Sequence, residues 1–211
     1  MKIRSAAITF RRKRSVSQIQ LFPTEPETPE GFVYKPEVIS HQEEQELVRE
    51  IEQLKFAAVK MHDVVAKRRV AHFGRSYEYQ TAALSSAPPM PEFLVSLRQR
   101  VAEFAARDPE EFAEVLVTDY PPGAPIGWHR DAPGFDIIVG VSLLSECTMK
   151  FRPWPVEKLP SKRSKPLHQI LEPRSAYILR GPSRNRWQHH IPAGKERRLS
   201  ITFRTLRLGR D

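Results

Sequence analysis

One cysteine, Cys147, stands alone in the 211 residues, so no internal disulfide forms and no thiolate cluster can hold a metal by itself. That usage fits a reducing, intracellular setting, expected here to be the cytoplasm. Long apolar runs are also missing. None approaches the roughly 18–20 residues that cross a bilayer, so no membrane partner is expected. Acid is absent from the start of the chain: Lys2, Arg4, Arg11, Arg12, Lys13 and Arg14 meet no acidic residue before Glu25. Such a segment cannot bury apolar surface and reads as a solvated, disordered tail. It has the Arg and Ser content of an organelle transit peptide but lacks the amphipathic apolar face, which leaves import as the lesser reading.

What is present is positive charge. The 34 basic and 25 acidic residues leave a formal net charge of +9, which favours a polyanionic partner, nucleic acid before membrane. A hydrophobic content of 40% supports one core of ordinary size and excludes two large catalytic domains. Nothing demands an oligomer or an obligatory protein partner, so a monomer is expected.

Residues 1–30 divide into the basic tail and a proline-rich linker, "PTEPETPEG", and residues 31–211 form a single folded domain. Ser40 precedes "HQEEQELVREIEQLKFA", where Leu47, Ile51 and Leu54 recur at helical spacing, predicting an amphipathic helix capped by Ser40. A second helix is expected from Pro91, with Phe93, Leu94, Leu97 and Val101 along its buried side. Between them, "RRVAHFGRSYEYQ" alternates around Gly74 and is expected to be a hairpin. From Glu114 onward the texture changes to short β-rich runs between turns: "EVLVTDY", "IGWHRD", "IIVGVSLL", "TMKFRPW", "HQILEPRSAYILR", "RWQHHIP" and "RRLSITFRTLR". These predict an α+β, mostly β fold, a jelly roll whose core spans about 114–206, with the two helices packed on one sheet. "PVEKLPSKRSKPL" reads as a basic surface loop.

His129 and Asp131 are two residues apart, so in an extended strand both side chains project to one face and can meet one ion. A non-haem Fe(II) site needs a second histidine. His41, near a helix cap, and His168, in the basic loop region, look solvated. "WQHHIP" lies in the last β-rich stretch and offers either His189 or His190. In "RLSITFR", Arg198, Ser200, Thr202 and Arg204 alternate with Leu199, Ile201 and Phe203. Burying the apolar face turns two guanidinium groups toward the roll interior, a costly arrangement unless an anion meets them. A dicarboxylate fits, because an arginine fork binds a carboxylate bidentately.

Together, "TDYPPGAPIGWHRD", "GPSRNRWQHHIP" and "RLSITFR" resemble the AlkB family of Fe(II) and 2-oxoglutarate dependent dioxygenases, in order and at compatible spacing, over roughly residues 31–206. The resemblance implies a double-stranded β-helix, with Fe(II), 2-oxoglutarate and O2 as cofactor and cosubstrates. His129, Asp131 and His189 match the family's metal ligands, and His190 stands where a glycine is common. Arg198 matches the arginine that pairs with the far carboxylate of 2-oxoglutarate, Arg204 the second arginine of that pocket, and Tyr120 its tyrosine. Thr118 and Ser200 stand where the family often has asparagine, and both keep a hydroxyl that can hydrogen-bond in the cosubstrate pocket.

The implied chemistry is oxidative removal of N-alkyl groups from bases of alkylated DNA or RNA, releasing aldehyde, succinate and CO2. A base acted on in this way leaves its stack and is held between flat side chains. The region about 60–82 resembles the family's nucleotide-recognition lid, with Tyr79 matching a stacking aromatic and Tyr77 beside it. Arg68, Arg69 and Arg75, with Lys67, suit phosphate contacts. Some relatives carry an acidic residue just after the metal aspartate to contact the base; Ala132 and Pro133 stand there, so base preference does not transfer. Two other readings stay open: the same oxidation on a protein or small molecule, and a nucleic-acid-binding module without turnover.

Overall fold

The side chain of Ser40 accepts a hydrogen bond from the Glu43 amide while the Glu43 carboxylate accepts one from the Ser40 amide. This reciprocal cap starts helix α1 (His41–Glu52) where the sequence placed it. The structure is a computed structural model that describes residues 28–61, 64–78, 83–155 and 167–207. The basic tail up to residue 27, Tyr79 and most of the "PVEKLPSKRSKPL" segment lie outside the described residues.

Strand β1 (Phe32–Lys35) precedes α1. Then come β2 (Ala57–Met61), β3 (Val64–Glu78), β4 (Ala83–Ser86), a 3-10 turn (Glu92–Leu94) leading into α2 (Val95–Ala105), and β5 (Phe112–Tyr120). The second half holds β6 (Ile126–His129), β7 (Phe135–Leu143), β8 (Cys147–Pro153), β9 (Leu167–Leu171), β10 (Ala176–Leu179), the single turn α3 (Pro182–Asn185), β11 (Trp187–Ile191) and β12 (Arg198–Leu206). They form two sheets, a larger one ordered β1-β10-β7-β12-β5-β3-β2 with β4 beside β3, and a smaller one ordered β6-β11-β8-β9. This is the expected jelly roll.

Alternation along β12 decides which layer each residue joins. Leu199, Ile201 and Phe203 face outward from the roll and pack with Val115, Val117, Val139 and Val141 under Leu47, Ile51, Leu97 and Val101 of the two helices. Each such side chain contributes about 1.5–3 kcal/mol through burial. A second cluster fills the space between the sheets, with Ile138, Tyr177 and Leu179 from the larger and Met149, Phe151, Leu171 and Ile191 from the smaller. One core thus lies between the larger sheet and the helices and a second between the two sheets, and the polar face of β12 looks into the roll.

Two local expectations are corrected. "RRVAHFGRSYE" is one continuous strand rather than a hairpin around Gly74. β3 pairs with β5 as far as Gly74 and with β4 from Arg75 onward. Gly74 makes that change of partner at φ +76, where a Cβ would stand 2.3 Å from the Ala113 carbonyl oxygen, a position only glycine occupies without strain. "HQILEPRSAYILR" is two strands in different sheets. The chain turns at Glu172–Ser175, with Arg174 at φ 65, and crosses from β9 to β10. His168 therefore sits on β9, not in the loop before it, and remains exposed.

Candidate metal and anion site

β6 and β11 are neighbours in the smaller sheet, and their register sets His189 directly opposite His129. The imidazole centroids are 4.2 Å apart. Asp131 follows the end of β6, and the ligand atoms of His129, Asp131 and His189 all lie within 4.8 Å of one another. His129 Nδ1 donates to the Gly127 carbonyl at 2.8 Å, which fixes the ring and leaves Nε2 as the free donor to a metal. His189 Nε2 stands 3.7 Å from Asp131 Oδ2, too far for a hydrogen bond and suited to two groups sharing one ion. His190 points elsewhere: its Nδ1 donates to the Ile126 carbonyl at 2.7 Å and its ring packs on Trp128.

The protonation states suit a divalent cation. Burial, reinforced by the neighbouring His129, pushes the His189 imidazole down to about 3, and burial also lowers His129. Both rings are therefore neutral near pH 7. Burial alone would raise Asp131, but Arg204 first, and then the two histidines, hold its carboxyl well below the usual carboxylate range. Two neutral imidazoles and one carboxylate form the donor set that non-haem Fe(II) takes.

Arg204 reaches Asp131 with two donors and Glu114 with a third. Nε and Nη2 lie 3.2 and 2.8 Å from Asp131 Oδ1, and Nη1 lies 2.8 Å from Glu114 Oε2. Glu114 is buried and its other oxygen meets His72 Nδ1 at 3.1 Å. Arg204, expected in the cosubstrate pocket, has its guanidinium anchored on Asp131 of the candidate metal group.

Arg198 is different. Only 4% exposed, it donates from Nε to Ser142 Oγ at 2.9 Å, while Nη1 is buried with no hydrogen-bond partner among the described residues. A buried cationic donor without an acceptor is costly. The register places Tyr120 beside Arg198 and Thr118 beside Ser200. The Arg198 guanidinium lies 5.3 Å from the centre of the Tyr120 ring. Thr118 and Ser200 are both buried. A carboxylate at Nη1 would complete this polar chamber, which is the fit expected of one end of 2-oxoglutarate.

Three contributors were not singled out from sequence. Ser142 positions Arg198, and the alternation Ile138, Gly140, Ser142 in β7 could have shown its inward face. Tyr177 covers Gly140 so closely that a Cβ there would lie 2.3–2.5 Å from the phenol ring. Arg184, 3% exposed, donates to the carbonyls of Ala132 and Phe135 and so clamps the segment that follows Asp131. Ala132 is itself buried in the core between the sheets.

The residues assigned to substrate divide between faces. Arg68 alternates with Val70 and His72, on the strand opposite Thr118 and Leu116, and its charge is among those felt by His129. Arg69 lies on the other face, where it joins Arg197 on the buried carboxylate of Asp119; this pairing turns it away from the metal ligands. Arg75 is exposed at the start of the β3–β4 pairing. Tyr77 lies on β3 opposite Leu84, its side chain outside the described set, as is all of Tyr79.

Comparison with known proteins agrees with this geometry. The sequence profile of the 2OG-Fe(II) oxygenase superfamily matches residues 31–204. The chain is 27% identical over 208 residues to the "Alkylated DNA repair protein ALKBH8 homolog" of Arabidopsis thaliana, covering 84% of this chain and 58% of that one. It is 28% identical over 173 residues to the "tRNA (carboxymethyluridine(34)-5-O)-methyltransferase ALKBH8" of Macaca fascicularis, covering 79% of this chain and 25% of that one. The chain thus covers less than two thirds of the length of either relative. Among solved structures, that of OsALKBH1 superposes with a TM-score of 0.63 at 19% identity, covering 87% of this chain and all of the other, which establishes a shared fold.

Proposed function

Since this chain belongs to the 2OG-Fe(II) oxygenase superfamily and is an AlkB-like dioxygenase within it, we propose that it removes N-alkyl groups from nucleic-acid bases. The observation that carries the oxidative part is the unpartnered Nη1 of Arg198 in the same chamber wall as the arginine that grips Asp131. A cosubstrate with a carboxylate at its far end answers the first, and a metal answers the His129, Asp131 and His189 group. Nucleic acid as the substrate is supported by the charge of +9 and by the printed names of the relatives, one an alkylated-DNA repair protein and one acting on tRNA. The methyl transfer named for the second is not carried over, because only a quarter of that protein is aligned.

When bound, Fe(II) with 2-oxoglutarate and O2 supplies the oxidation that places a hydroxyl on the alkyl carbon, with CO2 and succinate as coproducts. The hydroxylated N-alkyl group then breaks its C–N bond, returning the electron pair and a proton to the base nitrogen and releasing an aldehyde. The chain's own part is placement. His129, Asp131 and His189 would hold the ion. Arg198 orients the cosubstrate with Tyr120, and Arg204 keeps Asp131 ionised and fixes which oxygen it presents.

The test is mass spectrometry of methylated DNA, RNA and tRNA incubated with the protein, iron and 2-oxoglutarate. Loss of a methyl group with matching aldehyde and succinate is the expected outcome, abolished in His189→Ala. Succinate without any base product would move the reading to another substrate class. Binding with neither product, under iron, ascorbate and oxygen, would leave a binding module.

A further inference from the structure

The four strands of the smaller sheet contain no aspartate or glutamate. Their outer face, turned away from the metal ligands, is built instead from aromatic and cationic side chains. One row crosses the whole sheet: Trp128 on β6 packs on His190 of β11, His190 is in register with Lys150 of β8, and Lys150 with His168 of β9. In the next row Gln188 stands opposite Arg152, whose Nε donates to the Gln188 amide oxygen at 2.7 Å. The Arg152 guanidinium sits 4.5 Å from the Trp128 ring centre, and that of Arg130 sits 3.5 Å from the Trp154 ring centre. Trp154 is 40% exposed.

The two arginines of this face lack the carboxylate partner that seven other described arginines have. Arg69, Arg98, Arg100, Arg107, Arg174, Arg197 and Arg204 all meet carboxylates. Arg130 and Arg152 form no ion pair with any described carboxylate; each guanidinium packs over an indole and is steadied by one neutral acceptor, the Asn185 carbonyl at 3.2 Å for Arg130 Nη1 and the Gln188 amide oxygen for Arg152 Nε. An exposed guanidinium–indole stack contributes only about 0.5–1 kcal/mol, a weak reason to concentrate unneutralised cations on one sheet. Flat rings alternating with fixed cations match a single strand of nucleic acid, whose bases stack on aromatics and whose phosphates release counterions to arginine and lysine. β6 is the edge strand of this sheet and carries His129 on its other face, so a strand lying here runs next to the metal ligands.

We infer that the outer face of the smaller sheet, with Trp128, Trp154, Arg130, Lys150 and Arg152 at its centre, is a docking surface for single-stranded polynucleotide flanking the modified base. This rests on the proposed nucleic-acid reading, yet it concerns binding of unmodified strand and can be tested apart from turnover.

Two of the chain's three tryptophans lie on this face, so intrinsic fluorescence reports on it directly. An unmodified oligonucleotide of about 15 nucleotides should quench the emission of the wild-type protein as it binds. The double variant Lys150→Glu/Arg152→Glu should bind at least about tenfold more weakly, with the slope of log K against log salt reduced by about 1.4, as loss of two single-strand phosphate contacts requires. Trp154→Ala should weaken binding and remove part of the quench while leaving the salt slope unchanged. All variants should keep wild-type succinate formation from 2-oxoglutarate without nucleic acid, which also shows that they fold. Unchanged affinity and salt slope in the double variant would overturn the proposal, as would equal binding of heparin with no loss in Trp154→Ala. Strand binding by the wild type without any demethylation would remove the proposed reaction and leave the surface standing.

Discussion

Arg204 holds Oδ1 of Asp131 with both Nε and Nη2, which leaves Oδ2 as the oxygen turned toward His189 Nε2. One cation therefore does two things to the carboxylate of the proposed metal site: it keeps it charged in a buried setting, and it selects the oxygen that faces His189. Behind it, Glu114 and His72 hold the guanidinium in place. A ligand supported in this way should depend strongly on its support, and Arg204→Lys, which keeps the charge but loses the planar fork, should lower metal affinity about 10–100-fold. Titration of the metal-free protein with Co(II), read by its absorption bands, measures this directly; wild-type affinity would show that the fork is dispensable.

The buried, half-used guanidinium of Arg198 gives a prediction of opposite sign for stability and for binding. Arg198→Met should abolish the rise in melting temperature produced by 2-oxoglutarate with a divalent ion. Without ligand the same variant should be no less stable than wild type, because it removes an uncompensated buried charge. A substantial loss of stability in the unliganded variant, by urea titration, would mean that Nη1 has an acceptor after all.

Gly140 faces the Tyr177 ring at a distance that excludes a methyl group. Gly140→Ala should cost about 1–3 kcal/mol through overpacking and raise the KM for 2-oxoglutarate by displacing the phenol into the chamber. Adding Tyr177→Leu should recover most of the stability. Denaturant curves of the single and double variants separate the two effects.

Acid should weaken the metal-free fold in a defined window. The unfolded chain has an ordinary imidazole near 6.5, whereas burial and His129 depress His189 to about 3 in the fold. Between these values the unfolded state binds the extra proton, so stability falls as pH drops from about 6.5 toward 3 and is fully present above 6.5. Asp131, also depressed, adds its loss at lower pH, below its unfolded value near 4. The urea midpoint of His189→Asn should fall less steeply between pH 6.5 and 4.5 than that of wild type.

Much of the site was legible because its parts are local. The two-residue spacing of His129 and Asp131, the doublet His189–His190 and the alternation of Arg198 through Arg204 are read from the chain without knowing its path. The Ser40 cap and the helix it starts are equally local, since both partners lie within one turn. What was not legible depended on pairing at a distance. Gly74 read as a turn because a glycine between alternating runs has that local signature; the contacts with Ala113 and Pro88 that make it a bend inside one strand lie far along the chain. Arg69 and Arg68 look alike in sequence, and only the register of β3 on β5 separates the one bound to Asp119 from the one on the metal side.

The sequence by itself determined the donor types, their order and the polar face of the last strand, because residue chemistry and the two-residue period of a strand require nothing else. Tertiary structure decided the rest. It set His189 rather than His190 against His129 through the β6–β11 register. It gave Arg204 to Asp131 and left Arg198 unsatisfied, because Glu114 and Ser142 come from strands on either side of β12. It also gathered Trp128, Arg152 and Trp154 onto one face of an acid-free sheet, a grouping that exists only once distant segments have been paired.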